Sequence, residues 1–186
     1  MSIIRRLLRR GYMRILYGPW EIPMGSSGES AKGEIVLKGI LSARVFRLDG
    51  SVEDRGVIAT KKVTTAFVNY LVDAMINSST YPMDVFKFHD SGTGYVGGES
   101  NADTALLIPC GEARDVGTQI EGASANIYKS VATHTYSTSY SIQEHGIFSL
   151  ATGGTLLDRS VFAVINISAS GEKIEWTYQL TAQAET

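Results

Sequence analysis

The sequence predicts a mainly β protein: an antiparallel β-sandwich or jelly-roll-like body with one packed α-helix and an extended N-terminal arm. Three observations carry this reading. Segments of alternating apolar and polar residues, bounded by turn residues, recur from residue 34 to the C-terminus. Glycine is abundant at 19 residues and proline scarce at 4, a mixture that suits strands and tight turns better than a helical bundle. Only one stretch, 63–79, has persuasive helical spacing. A chain of 186 residues is long enough for one domain with a substantial core. The reading divides it into a basic arm and linker, 1–33, and a β-rich domain, 34–186.

The arm opens with "MSIIRRLLRRGYMRILYG". Ile3/Ile4 and Leu7/Leu8 are apolar pairs spaced by four, with arginine pairs between them, so a helix would segregate the two on opposite faces until Gly11 ends it. Residues 1–15 hold Arg5, Arg6, Arg9, Arg10 and Arg14 and no acid. With five of the 17 basic residues there, the rest of the chain has 12 against 19 acids, a net of −7. A basic tip on an acidic body is not the pattern of a nucleic-acid-binding domain, and direct nucleic-acid contact is not expected. Docking on a protein partner is the leading reading of the arm. A solvated helical end is the plain alternative, and DNA or lipid headgroups the third. Arginines interrupt every apolar pair, so no secretory signal is expected, while an organelle-targeting peptide is harder to exclude on composition; no apolar run has the length of a membrane span. The linker "GPWEIPMGSSGESAKG", 18–33, has prolines that bar a regular helix and a flexible Gly/Ser end. Trp20 lies in a segment that cannot build its own core and is a candidate anchor. The expected partner-binding residues are therefore Arg5, Arg6, Arg9, Arg10, Arg14 and Trp20, on an arm held by neighbours in a large assembly.

From residue 34 the pattern changes. In "EIVLKGILSARVFRL", Leu41, Ala43, Val45 and Arg47 alternate against Ser42, Arg44 and Phe46. "LDGS" supplies an Asp-Gly turn and "VEDRGVIATKKV" returns, which makes a β-hairpin. In "VTTAFVNYLVDAMINSS", Thr64 or Thr65 caps a helix whose buried stripe is Val63, Phe67, Leu71, Ala74 and Met75, stopped by Asn77 and the serines. "DVFKFHD" alternates as a strand, and "SGTGYVGGESNADT" is a long glycine loop, mobile or partner-contacting. "IYKSVATHTYSTSYSI" is β-rich. "IQEHGIFSL" and "LLDRSVFAVI" are strands joined by "ATGGT", where Gly153 and Gly154 permit the positive φ angles of a tight turn. In "KIEWTYQLT", Ile174, Trp176, Tyr178 and Leu180 form the buried side of the closing strand.

The chemistry-bearing groups give no catalytic constellation. "SGTGYVGG" lacks the lysine and following helix of a phosphate loop. In His89-Asp90 and Glu144-His145, neighbours face opposite sides of a strand, so neither pair converges on one point. Nothing specifies a metal, and no cofactor is expected. There is no G-x-S-x-G. Cys110, the only cysteine, has no nucleophile signature around it and reads as a small buried thiol. Asp158 and Arg159 face opposite sides and await partners on neighbouring strands.

Four features resemble small structural proteins of tailed-bacteriophage virions: the "GTG" loop Gly92-Thr93-Gly94, the run Asp103-Thr104-Ala105-Leu106, the hairpin Gly146 to Phe162, and the alternating strand Ile174 to Leu180. The resemblance covers 84–181, leaves the arm outside and extends to head-associated and tail-fibre-associated proteins alike. It implies no catalytic residues. It implies a virion component assembled in the host cytoplasm, whose partners are the major capsid protein or other virion subunits and further copies of itself. A β-rich acidic body with a Trp-containing arm fits a capsid decoration (cement) protein. A tail, fibre-anchor or head–tail connector component is the alternative, and a carbohydrate-binding module using the 91–103 loop is a third.

Overall fold

In the computed structural model, residues 35–61, 63–95 and 98–184 are described. The arm and linker, with Arg5, Arg6, Arg9, Arg10, Arg14 and Trp20, lie outside them. The described residues belong to one unit, Glu34–Thr186.

Nine strands and one α-helix are found among the described residues. The expected hairpin is β1 (Ile35–Phe46) and β2 (Val52–Lys61), paired antiparallel from Phe46↔Val52 to Gly39↔Lys61. Its turn forms because Gly50 takes φ 84°, and Asp49 Oδ1 accepts from the Ser51 N–H at 2.9 Å. Leu41, Ala43 and Val45 point inward. Arg47 is half-buried and held by Glu53 and Glu172.

Helix α1 (Thr65–Ile76) begins one residue after Thr64, whose hydroxyl oxygen accepts from Phe67 N at 3.1 Å. Asn77 closes it. Phe67 and Ala74 are buried, and Phe67 meets Phe86 edge-on at 5.0 Å. Met75, expected in the buried stripe, is instead 81% exposed. Eight residues beyond Phe67 is about 80° further round a helix of 3.6 residues per turn, which carries Met75 off the packed face.

The sequence 84–90 does not form one alternating strand. Met83–Val85 is a single 3-10 turn, and β3 (Phe88–Gly92) starts later and runs into the glycine segment. Two short strands follow, β4 (Asp115–Val116) and β5 (Thr118–Glu121), then β6 (Ile127–Thr135), β7 (Tyr140–Phe148), β8 (Leu156–Ile167) and β9 (Lys173–Ala184). The β7–β8 hairpin is as expected, with Gly153 at φ 65° and Gly154 at φ 78° in its turn.

These strands make two antiparallel sheets, ordered β2-β1-β9-β6-β5 and β4-β3-β7-β8. They form a sandwich. Its core gathers Leu41 and Val45 from β1, Trp176 and Tyr178 from β9, Ile142 and Ile147 from β7, Ile165 from β8, and Phe67 from α1. The last strand, β9, sits at the centre of its sheet between β1 and β6. Its alternation is buried at Ile174, Trp176 and Tyr178, with Leu180 partly buried at the rim.

The four-stranded sheet is covered on its outer side as well. Leu106, Phe148 and Leu156, with Phe88, form a second small apolar cluster beneath the 99–114 segment. Arg114 pins this layer: it pairs with Asp90 at 2.9 Å, lies 3.4 Å from the centre of the Phe148 ring, and donates to the carbonyls of Leu150 and Gly153.

Candidate functional site

The glycine segment carries an anion-binding arrangement, and the anion is the protein's own. Glu144 projects from the outer face of β7 and is fully buried. Its Oε1 accepts from the N–H groups of Gly94 at 3.0 Å and Ile108 at 2.7 Å. Its Oε2 accepts from Leu107 N at 2.9 Å and Arg159 Nε at 2.8 Å. Four donors satisfy an ionised carboxylate, which is an acceptor only. The glycines make room for it. A Cβ on Gly94 would lie 2.5 Å from Glu144 Oε1, and one on Gly92 would lie 2.4 Å from the Ile108 carbonyl oxygen. The "GTG" spacing thus serves a close approach of backbone to carboxylate.

Arg159 completes the arrangement from β8. Its Nη1 donates to the Gly98 carbonyl at 2.9 Å and to Asp103 Oδ2 at 3.0 Å. Parts of the glycine segment, expected to be mobile or partner-contacting over 91–98, are anchored to the sheet. Ser91 and Gly92 belong to β3, and Gly94, Gly98 and Asp103 are tied to the sheet through Glu144 and Arg159. Asp158 and Arg159 do face opposite sides. Asp158 turns inward, accepts from Ser160 Oγ at 2.8 Å, and meets the Tyr178 hydroxyl at 3.4 Å. Burial raises its pKa to about 6.

The inner face holds the histidines. Within Glu144-His145 and His89-Asp90 the neighbours diverge, as expected, but the two histidines converge across strands. His89 Nδ1 lies 3.1 Å from His145 Nε2, and His89 Nε2 lies 2.8 Å from Ser130 Oγ. Burial lowers the His89 pKa to about 3 and holds His145 well below its ordinary value, the neighbouring histidines adding to the effect. His134 is buried too, and its Nδ1 contacts Asp115. Among the described residues, no group of three or more His, Cys, Asp or Glu is arranged to hold a metal ion. The Ser130–His89–His145 chain resembles a proton relay in composition, but its members are sealed between the sheets, where no substrate reaches.

Cys110 is half-buried rather than fully buried. Its thiol lies 3.6 Å from Ser91 Oγ and burial raises its pKa, the opposite of an activated nucleophile. A broad depression of about 1020 Å³ lies where β1 and β2 meet residues 99–101. Ile35, Val36, Leu37 and Val63 line it beside polar residues that include the Lys61–Glu99 ion pair and no histidine.

The most conspicuous outward feature is on α1. Val68, Val72, Met75 and Ile76 fall at i, i+4, i+7 and i+8, and are 42%, 52%, 81% and 79% exposed. They make a second apolar stripe on a helix whose other face is packed. The spacing is visible in the sequence, but assigning Met75 to the core concealed it.

No protein-family model, curated protein or solved structure matches the chain.

Proposed function

We propose that the protein is a non-enzymatic structural component of a tailed-bacteriophage virion, acting as a capsid decoration protein that bridges major capsid subunits. The observation that carries this reading is the destination of the reactive groups. Glu144, Arg159, Asp158, His89 and His145 are all buried and engaged in holding layers of the body together. What the body offers outward is an apolar helical stripe, the kind of surface that serves contact with another protein. The segments that resemble phage structural proteins take up structural tasks: Gly92 and Gly94 admit Glu144, and the 146–162 hairpin supplies Arg159 and, to the outer cluster, Phe148 and Leu156.

The arm fits the same role. Five arginines and Trp20 in the segment that precedes residue 34 would extend the reach of the body across neighbouring subunits, themselves the expected partners along with further copies of this chain. Quantitative mass spectrometry of purified particles, with imaging of the same particles, tests the proposal. A copy number tied to the major capsid subunit, with density on the shell, is the expected result. A copy number of a few rings confined to the tail would replace decoration by a connector or fibre-anchor role. Absence from particles would remove the virion reading altogether.

A further inference from the structure

The chain has three histidines, and all three sit in the seam between the two sheets. Each bridges the sheets. His89, on β3 of the four-stranded sheet, meets Ser130 on β6 of the five-stranded sheet. His145, on β7, lies with its ring 4.8 Å from that of Trp176 on β9. His134, on β6, reaches back to Asp115 on β4. His89 and His145 also touch one another at 3.1 Å. We propose that this seam is an acid-sensitive clasp: protonation of the His89–His145 pair parts the sheets, so the folded body loses stability progressively as the medium turns acid.

The geometry gives the reason. With one hydrogen bond between the rings, one nitrogen donates and the other accepts. Charging both rings makes donors of both nitrogens and places two like charges in contact in a dry interior. The neighbouring groups give little relief. Ser91 and Tyr136 bond each other at 3.0 Å, beside the Cys110 thiol. Asp115 is engaged by His134, and Asp158 by Ser160 and Tyr178. Asp90 and Glu144 face the other side of their sheet, where Arg114 and Arg159 hold them.

The pH window follows from linkage. His89 and His145 have folded pKa values below the unfolded value near 6.5, so the stability they permit is present above pH 6.5 and is lost as pH falls below it, for His89 down to about 3. Asp158 works the other way: its folded pKa is raised from 3.8 to about 6, so its contribution is present below pH 3.8 and lost as pH rises through 6. The two opposing effects overlap between pH 4 and 6, and a comparison between variants separates them.

The experiment is urea unfolding of the full chain between pH 5.0 and 6.5, read as the slope of the logarithm of the unfolding constant against pH. Each histidine that must charge on unfolding contributes up to about a tenfold change per pH unit. His89→Gln and His145→Gln should each flatten the wild-type slope by up to that amount. Slopes equal to wild type in both variants would overturn the proposal. If either variant does not fold, imidazole nitrogen NMR of the wild-type protein decides: two rings that stay neutral in the folded state down to pH 5 support the clasp, and ordinary titration near pH 6.5 overturns it.

Discussion

Two side chains hold adjoining parts of this body together through contacts that can be broken singly. Thr64 caps α1, and its own N–H donates to the Leu157 carbonyl of β8 at 2.9 Å while its hydroxyl donates to the Leu156 carbonyl. One buried residue therefore starts the helix and occupies part of the free edge of the four-stranded sheet. Thr64→Val keeps the shape and removes the hydroxyl. It should lower stability by about 1–3 kcal/mol, the sum of a lost cap and an unpaired carbonyl, measured by urea unfolding. A change under about 0.5 kcal/mol, the range of an ordinary surface substitution, would show that the cap does not hold the edge. Glu144 is the larger case. Glu144→Gln puts an amide NH₂ against N–H donors and leaves Arg159 buried with only Asp103 for charge. A loss of about 3–5 kcal/mol is expected, as for a buried pair broken on one side. Limited proteolysis of the variant should cut first within 93–108, because the amide keeps a single acceptor oxygen for the three backbone N–H groups that Glu144 holds there. First cuts elsewhere would show that the segment is held by other means.

The elements differ in how far their sequences disclose them. Hairpins β1–β2 and β7–β8 are local: an Asp-Gly or Gly-Gly turn lies between two apolar alternations, so pairing and register follow from a short stretch of chain. Strand β9 discloses its buried side by alternation but not its place, since its neighbours β1 and β6 are remote in sequence. The Glu144 cradle and the histidine pair were not legible for the same reason. Glu144 and Ile108 are 36 residues apart, and His89 and His145 are 56 apart. Period-2 reasoning tells which side of a strand a residue faces and is silent about which strand lies opposite. Helix α1 was legible as a helix but misassigned in rotation at Met75, because apolar residues lie on two of its faces. Those outer residues lend themselves to a clean test. Val72→Glu and Met75→Lys together alter only exposed positions, so stability should stay within about 0.5 kcal/mol of wild type. Incorporation into particles should fall if the stripe is a contact surface, measured as bound protein per capsid subunit. Full incorporation with unchanged stability would leave the stripe as plain solvent-facing surface.

At the scale of the whole molecule, the body and the arm separate in their chemistry, and each can be altered without the other. The sandwich draws its core from residues 37–180, so a chain beginning at Glu34 should fold and unfold cooperatively. Loss of cooperative unfolding in that shortened chain would make the arm part of the fold rather than a docking device. Given a folded body, the arginines are tested next. Each exposed ion pair is worth only about 0.2–1 kcal/mol, so single Arg→Ala changes should have small effects. Replacing Arg5, Arg6, Arg9 and Arg10 together should lower occupancy on particles markedly, because weak contacts on one chain add and recur at every copy. Added salt should slow association of the wild-type chain and do less to the four-arginine variant, since screening acts on charges that the variant lacks. Once Trp20 and its apolar neighbours are buried, occupancy should depend on salt less than association does, because apolar burial is not screened. Occupancy against ionic strength, for both chains on the same particles, reads all of these effects. Coincident curves would make the arginines a solvated face. A difference that appears only on particles with accessible nucleic acid would place the arm inside the shell and replace decoration by an internal bridging role.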